Sequence, residues 1–188
     1  KSKRFSKLSK DKDCLEIINL IFPQLKNISL FGKLNDFAKK NFSRVDFIFL
    51  LSLLVIDGTD NVDYFLYKFN LSKKDEKRIL FLNNFYSAKL TNKTFLEKNL
   101  NKFFYYYGRE TLMDIIYFKI FKSNKIDNKL IELIKIFEKK ETPIMPIKAN
   151  ILIKKYQIEE GKELGKKLKV IEETWANNNF NISEKEIQ

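Results

Sequence analysis

The sequence predicts an all-α fold, a multi-helical body followed by a small helical tail, on three observations. Five glycines and three prolines punctuate 188 residues, too few for repeated strand and turn units. Ser or Thr precedes an acid by three residues at Ser43…Asp46, Ser72…Asp75, Thr94…Glu97 and Ser183…Glu186. At that spacing a hydroxyl and a carboxylate can satisfy the first free amides of a helix. Apolar residues also recur at helical rather than alternating spacing. A strand reading is open locally over residues 103–107, but helical continuation through Leu112, Ile115, Ile116 and Phe118 weakens it. Roughly nine or ten helices are expected from these signals.

Along the chain, a basic lead-in comes first: Lys1, Lys3, Arg4, Lys7, Lys10 and Lys12 against Asp11. The most apolar stretch is Phe47-Ile-Phe-Leu-Leu-Ser-Leu-Leu-Val-Ile56. It is too short to span a bilayer and reads as a buried core helix. Asp57-Gly-Thr-Asp60 is superficially like an aspartic-protease turn but has the wrong order. It reads as a helix-terminating turn with capping acids. Asp57, Asp60 and Asp63 match no metal motif of known spacing, and aspartates favour such turns for backbone reasons. After Ser72, the apolar residues Ile79, Leu80, Leu82, Phe85 and Tyr86 keep helical spacing, with Lys73, Lys74, Lys77 and Arg78 opposite. The run Phe103-Phe-Tyr-Tyr-Tyr107 offers a stacking platform for bases or a helix that buries its aromatics. Consecutive tyrosines on a helix point in different directions, which favours packing, with a break at Gly108. From Asp127 a further helix buries Leu130, Ile131, Leu133, Ile134, Ile136 and Phe137. Pro143 and Pro146 then interrupt the helical pattern and divide a body, residues 1–142, from a tail, residues 143–188.

Composition limits the chemistry. The chain holds 36 basic residues, only four of them arginine (Arg4, Arg44, Arg78, Arg109), against 24 acids, a net charge of +12. Such an excess points to a polyanion, with nucleic acid the leading partner. There is no histidine, which removes the usual general base and imidazole metal ligands. Cys14 is the single cysteine, so one chain can form neither a disulfide framework nor a thiolate zinc cluster. No glycine-rich loop of the P-loop or dinucleotide type is present. A lone thiol in a lysine-rich chain fits a reducing cytoplasm, with no membrane partner. The sequon Asn92-Lys-Thr94 carries no meaning there. This chain by itself is expected to carry no catalysis, no metal and no cofactor.

The tail holds the most informative segment. Between Lys148 and Lys169 lie seven lysines (Lys148, Lys154, Lys155, Lys162, Lys166, Lys167, Lys169) against Glu159, Glu160 and Glu163. Gly161-Lys-Glu-Leu-Gly165 opens a helix whose Leu164, Leu168, Ile171 and Trp175 form one stripe. Trp175 therefore reads as a structural residue. Free amides at a glycine-started helix suit a phosphate, and the lysines add charge. A solvated lysine face muted by the glutamates is the competing reading.

The segment from Pro146 to Ser183 resembles the C-terminal end of bacterial class II tRNA nucleotidyltransferases, the family of CCA-adding enzymes and related poly(A) polymerases. Gly161, Gly165, Leu168, Trp175, Phe180 and Ser183 fit the family pattern. Upstream, Ile21-Phe-Pro-Gln-Leu25 and Tyr107-Gly-Arg-Glu110 with Asp114 look like the family's body region. Two departures stand out. The family's Gly-x-Asp-Leu is Ala149-Asn150-Ile151-Leu152 here, and the proline before its second glycine is Glu160. The catalytic head, with its nucleotide loop and paired metal-binding aspartates, has no counterpart in these residues. The resemblance implies a body and tail that grip the acceptor and T-arm of tRNA. A separate head would supply Mg²⁺ chemistry on CTP and ATP. The charge and the glycine turn then make Lys148, Lys154, Lys155, Gly161, Lys162, Lys166, Lys167 and Lys169 the expected RNA contacts. The same segment of a poly(A) polymerase, or a stand-alone basic helical module docking an acidic protein or another nucleic acid, are the alternatives.

Overall fold

A computed structural model describes residues 7–88, 94–157 and 159–187, without the side chains of Lys155 and Tyr156. Lys1, Lys3, Arg4 and Asn92 lie outside the described residues. The described residues form nine α-helices and no strand. They are α1 (Lys12–Ile21), α2 (Asp36–Asn41), α3 (Phe47–Val55), α4 (Asn61–Lys68), α5 (Lys73–Ser87), α6 (Glu97–Lys122), α7 (Asn128–Lys139), α8 (Ala149–Tyr156) and α9 (Lys162–Asn177). Single 3₁₀ turns occupy Ile28–Gly32 and Glu184–Glu186. No helix among the described residues is long and apolar enough to cross a membrane.

The caps decide where helices begin. Ser72 accepts from the Asp75 amide at 3.2 Å, and Ser183 and Glu186 make a reciprocal capping box, both at the expected spacing. The other two boxes are displaced. α3 starts one turn later than Ser43 implies, because Asp46 itself is the cap and accepts from the Phe49 amide at 2.8 Å. α6 begins at Glu97 behind Leu96, so Thr94 precedes the cap. The break at Gly108 is present: the residue takes φ 78° and ψ 174° within α6, a conformation that only glycine adopts without strain.

The body encloses one aromatic core. Phe49 of α3 meets Phe118 and Phe121 of α6 with ring centres 6.4 and 5.4 Å apart, and Phe104 packs on Phe137 of α7 at 5.5 Å. Leu53, Val55, Val62, Ile79 and Phe121 are completely buried, so the apolar stretch 47–56 is the core helix that its composition implies. Two buried asparagines stitch loops to this core. Asn35 caps α2 and also donates to the carbonyls of Ile120 and Ser123, both at 2.8 Å. Asn61 donates to Gln24 and Val55 carbonyls at 2.8 and 2.7 Å.

The tail has its own small core of Leu152, Leu164, Ile171 and Ile187, with Met145, Ile147, Leu168 and Ile182 against it. These residues all follow Pro143, so the two apolar clusters divide where the prolines do. α9 ends in a left-handed turn: Asn179 takes φ 53°, and the Phe180 amide donates to the Trp175 carbonyl at 2.8 Å. This is a Schellman closure, and its apolar partner contact is the Trp175–Phe180 pair, 4.9 Å between rings. The turn sends both rings onto Tyr105 of α6, at 5.2 and 5.9 Å.

Candidate nucleic-acid interface

The glycine turn places its lysines on the outside of the tail. On α9, Lys162, Lys166 and Lys169 are exposed and fall at i, i+4 and i+7, one stripe of the helix. The opposite face buries Leu164, Ile171 and Trp175, Trp175 being only 3% exposed. Lys167 is half-buried, and Lys148 and Lys154 are exposed at the start and along α8. The Lys155 side chain lies outside the described residues. Lys166 pairs with Glu163 at 2.8 Å, with both side chains more than two-thirds exposed. A pair so wet holds its lysine weakly.

Gly161 takes φ 152° and ψ −164° at the N-terminus of α9. A Cβ there or at Gly165 would meet nothing within 4 Å. The glycine at 161 is therefore required by backbone conformation, and neither glycine serves a close approach of another chain segment.

A second basic region lies on the body, and its arginine is not part of the solvated face. Arg78 turns inward from α5 and grips Asp114 of α6 in a two-point fork, Nε to Oδ2 at 2.6 Å and Nη2 to Oδ1 at 2.8 Å. Its remaining nitrogen reaches Asp46 at 2.5 Å, with Glu110 at 4.0 Å. Hydrogen bonding to Asp114 holds the guanidinium firmly charged. Burial works to raise the carboxyl of Asp46, but the Phe49 amide and Arg78 outweigh it and keep its pKa low. Arg78 thus ties α5, α6 and the start of α3 together and is neutralised within the fold. Periodicity alone had set it beside Lys74 and Lys77, which do remain exposed.

Around Arg78 opens a cavity of about 240 Å³, its floor made by Phe81 and Leu82 and its mouth by Lys74, Lys77 and Tyr107. The aromatic run divides between two roles. Phe104 is fully buried, and Tyr105 packs on the tail, where its hydroxyl donates to Glu172 at 2.6 Å. Tyr106 and Tyr107 are 42% and 53% exposed. Burial, reinforced by Glu172, pushes the Tyr105 hydroxyl up to about 12. No protein-family model, curated protein or solved structure matches this chain.

The turn after α3 forms around Asp57, whereas Asp60, which precedes α4, makes no side-chain cap hydrogen bond. Asp57 accepts from the Thr59 amide and hydroxyl at 3.0 and 2.7 Å, and Gly58 takes φ 86°. No group of three metal-ligating side chains is found among the described residues. The contacts that sequence reasoning missed are Arg78–Asp114 and Tyr105–Glu172, separated by 36 and 67 residues. One signal for the first was available: Asp114 is a carboxylate between Leu112, Met113, Ile115 and Ile116, on a helix face that otherwise reads as core.

Proposed function

We propose that this chain is the body and tail of a CCA-adding tRNA nucleotidyltransferase, binding the acceptor and T-arm backbone of tRNA while a head domain carries the chemistry. The observation that carries this reading is the exposed stripe Lys162, Lys166 and Lys169 beside the Gly161 turn, in the segment that resembles the family's C-terminus. Phosphates present a regular row of charge along an A-form stem, and a rigid helix with lysines on one face meets that row without reading bases. Lys148 and Lys154 of α8 extend the same chemistry. The head would bring two metal-binding carboxylates for Mg²⁺ together with the CTP and ATP sites. A reducing cytoplasm is the compartment in which such a chain, with its single thiol, would work.

A salt titration tests the proposal. A tRNA acceptor and T-arm minihelix should bind more tightly than a DNA duplex of equal length, and binding should weaken steeply with salt. The Lys162→Ala, Lys166→Ala double variant should lower the log-log salt slope by about 1 to 2, as expected when roughly two phosphate contacts are lost. An unchanged slope and affinity would move the RNA site off the tail. Minihelix binding no tighter than DNA would remove the tRNA reading altogether.

A further inference from the structure

We infer that the body carries a second nucleic-acid site, a short track for two unpaired nucleotides that is built around Tyr107. The inference goes beyond duplex binding by the tail, and the two are separable by experiment.

Two cavities meet at this one ring. The first, about 240 Å³, lies between α5 and α6 over Phe81, with Lys74 and Lys77 at its mouth. The second, about 420 Å³, is lined by Phe103, Tyr106, Tyr107 and Lys102 of α6, with Glu173 of α9 on its far wall. The first lies below and the second at the lower end of the roughly 300 to 1,000 Å³ range of ligand pockets, sizes that suit a planar group in each rather than one large cofactor. Tyr107 lines each of them and is backed by Phe81 and Phe103, with ring centres 5.1 and 4.5 Å away. The backing holds the ring in place, while 53% of the residue remains exposed. Tyr106, 42% exposed, offers a second ring with the Lys102 ammonium 6.0 Å from its centre.

The charges fix the direction of the ligand. Arg78 is spent on Asp114 and Asp46, so the cations open to a phosphate are Lys74 and Lys77 at one end. At the other end Lys102 is held by the Asn177 amide oxygen at 2.6 Å. Glu110 lines the first cavity and Glu173 the second, where a carboxylate can accept from a ribose hydroxyl or a base amino group. An acidic peptide would use the lysines and leave the rings unused. Phosphates joined to flat bases use both, which is how single strands are held without sequence preference.

The second cavity spans α6 and α9, so the tail completes it. Lys102–Asn177 and Tyr105–Glu172 fix Tyr106 and Glu173 relative to each other, and loosening the tail would widen the track.

Hexauridylate and hexaadenylate are the probes, alongside a blunt acceptor-stem minihelix, each titrated against the full chain at low salt. Tyr107→Ala should weaken hexanucleotide binding about 5- to 150-fold, the equivalent of one lost base stack of roughly 1 to 3 kcal/mol. Tyr107→Phe keeps the ring and should bind as the parent does, which separates stacking from a folding defect. Lys74→Ala with Lys77→Ala should weaken the hexanucleotides and flatten their salt dependence. The tail variant Lys162→Ala, Lys166→Ala should weaken only the minihelix. Hexanucleotide affinity unchanged in a folded Tyr107→Ala variant would overturn the inference. So would the absence of hexanucleotide binding by a chain that binds the minihelix, and that result would leave the tail proposal standing. Loss of minihelix binding with retained hexanucleotide binding would do the reverse.

Discussion

The body and the tail are stabilised in different ways. The body encloses eight buried phenylalanines in a continuous cluster with aliphatics from every helix between α2 and α7, and ion pairs and buried asparagines lock its loops. The tail buries four aliphatic residues of its own, and its one tryptophan, at the end of the same buried face, packs on the body. A unit of some forty residues rarely supplies enough burial to fold alone. Its order therefore depends on docking, through Trp175 and Phe180 on Tyr105 and through Glu172, Asn177 and Asn179 on α6. The region that carries the exposed lysine stripe is thus held in place by the region that carries the core.

Breaking the body should have the largest effect. Asp114→Ala takes the fork from Arg78 in a mostly buried setting and leaves it Asp46, so it should cost roughly 3 kcal/mol, the lower end of the range for removing one partner of a buried ion pair. Chemical denaturation should show one lowered midpoint for the whole chain. Separate transitions for body and tail would mean that the two are less dependent than the contacts imply.

Trp175→Ala should cost on the order of 3 kcal/mol, and the loss should be local. Amide exchange in α8 and α9 should accelerate while α3, α6 and α7 keep their protection. Equal acceleration everywhere would show that the tail supports the body as well.

Tyr105→Phe sharpens the same boundary by about 1 kcal/mol, the typical net worth of a hydrogen bond. It also predicts a pH dependence. Because the folded hydroxyl is pushed up to about 12 from an ordinary 10.0, the protonated state is the one that folding favours. That contribution is fully present below pH 10 and lost as pH rises through 12. Tail protection should fall across this window in the parent chain, and the fall should be shallower in Tyr105→Phe.

The smallest effect belongs to Glu163→Gln. The Lys166–Glu163 pair is highly exposed, so stability should stay within measurement error. Minihelix affinity at low salt should rise slightly as Lys166 is released, and a measurable loss of stability would show that the pair is structural.

Much of this contrast was legible beforehand. The prolines at 143 and 146 marked the division between cores, and the stripe Leu164, Leu168, Ile171 and Trp175 marked the buried face of α9. Both are local patterns, set by missing amides and by the 3.6-residue period. The aromatic run was half legible: packing holds for Phe103, Phe104 and Tyr105, whereas Tyr106 and Tyr107 reach the surface. Five consecutive directions on a helix can be deduced from spacing, but which of them meets a neighbour cannot. Arg78 shows the same limit. Its spacing put it with the surface lysines, and its carboxylate partner stands on another helix.

The sequence by itself determined the helical class, the sites of the caps at Ser72 and Ser183, the break at Gly108 and the turn at Gly161. Each depends on backbone groups within a few residues of one another, so chain-local chemistry is enough. Only the tertiary structure decided which cations stay free for a polyanion and which tyrosines face solvent. Charge neutralisation and ring burial depend on groups 36 and 67 residues away, brought within 3 Å by packing that no local pattern encodes.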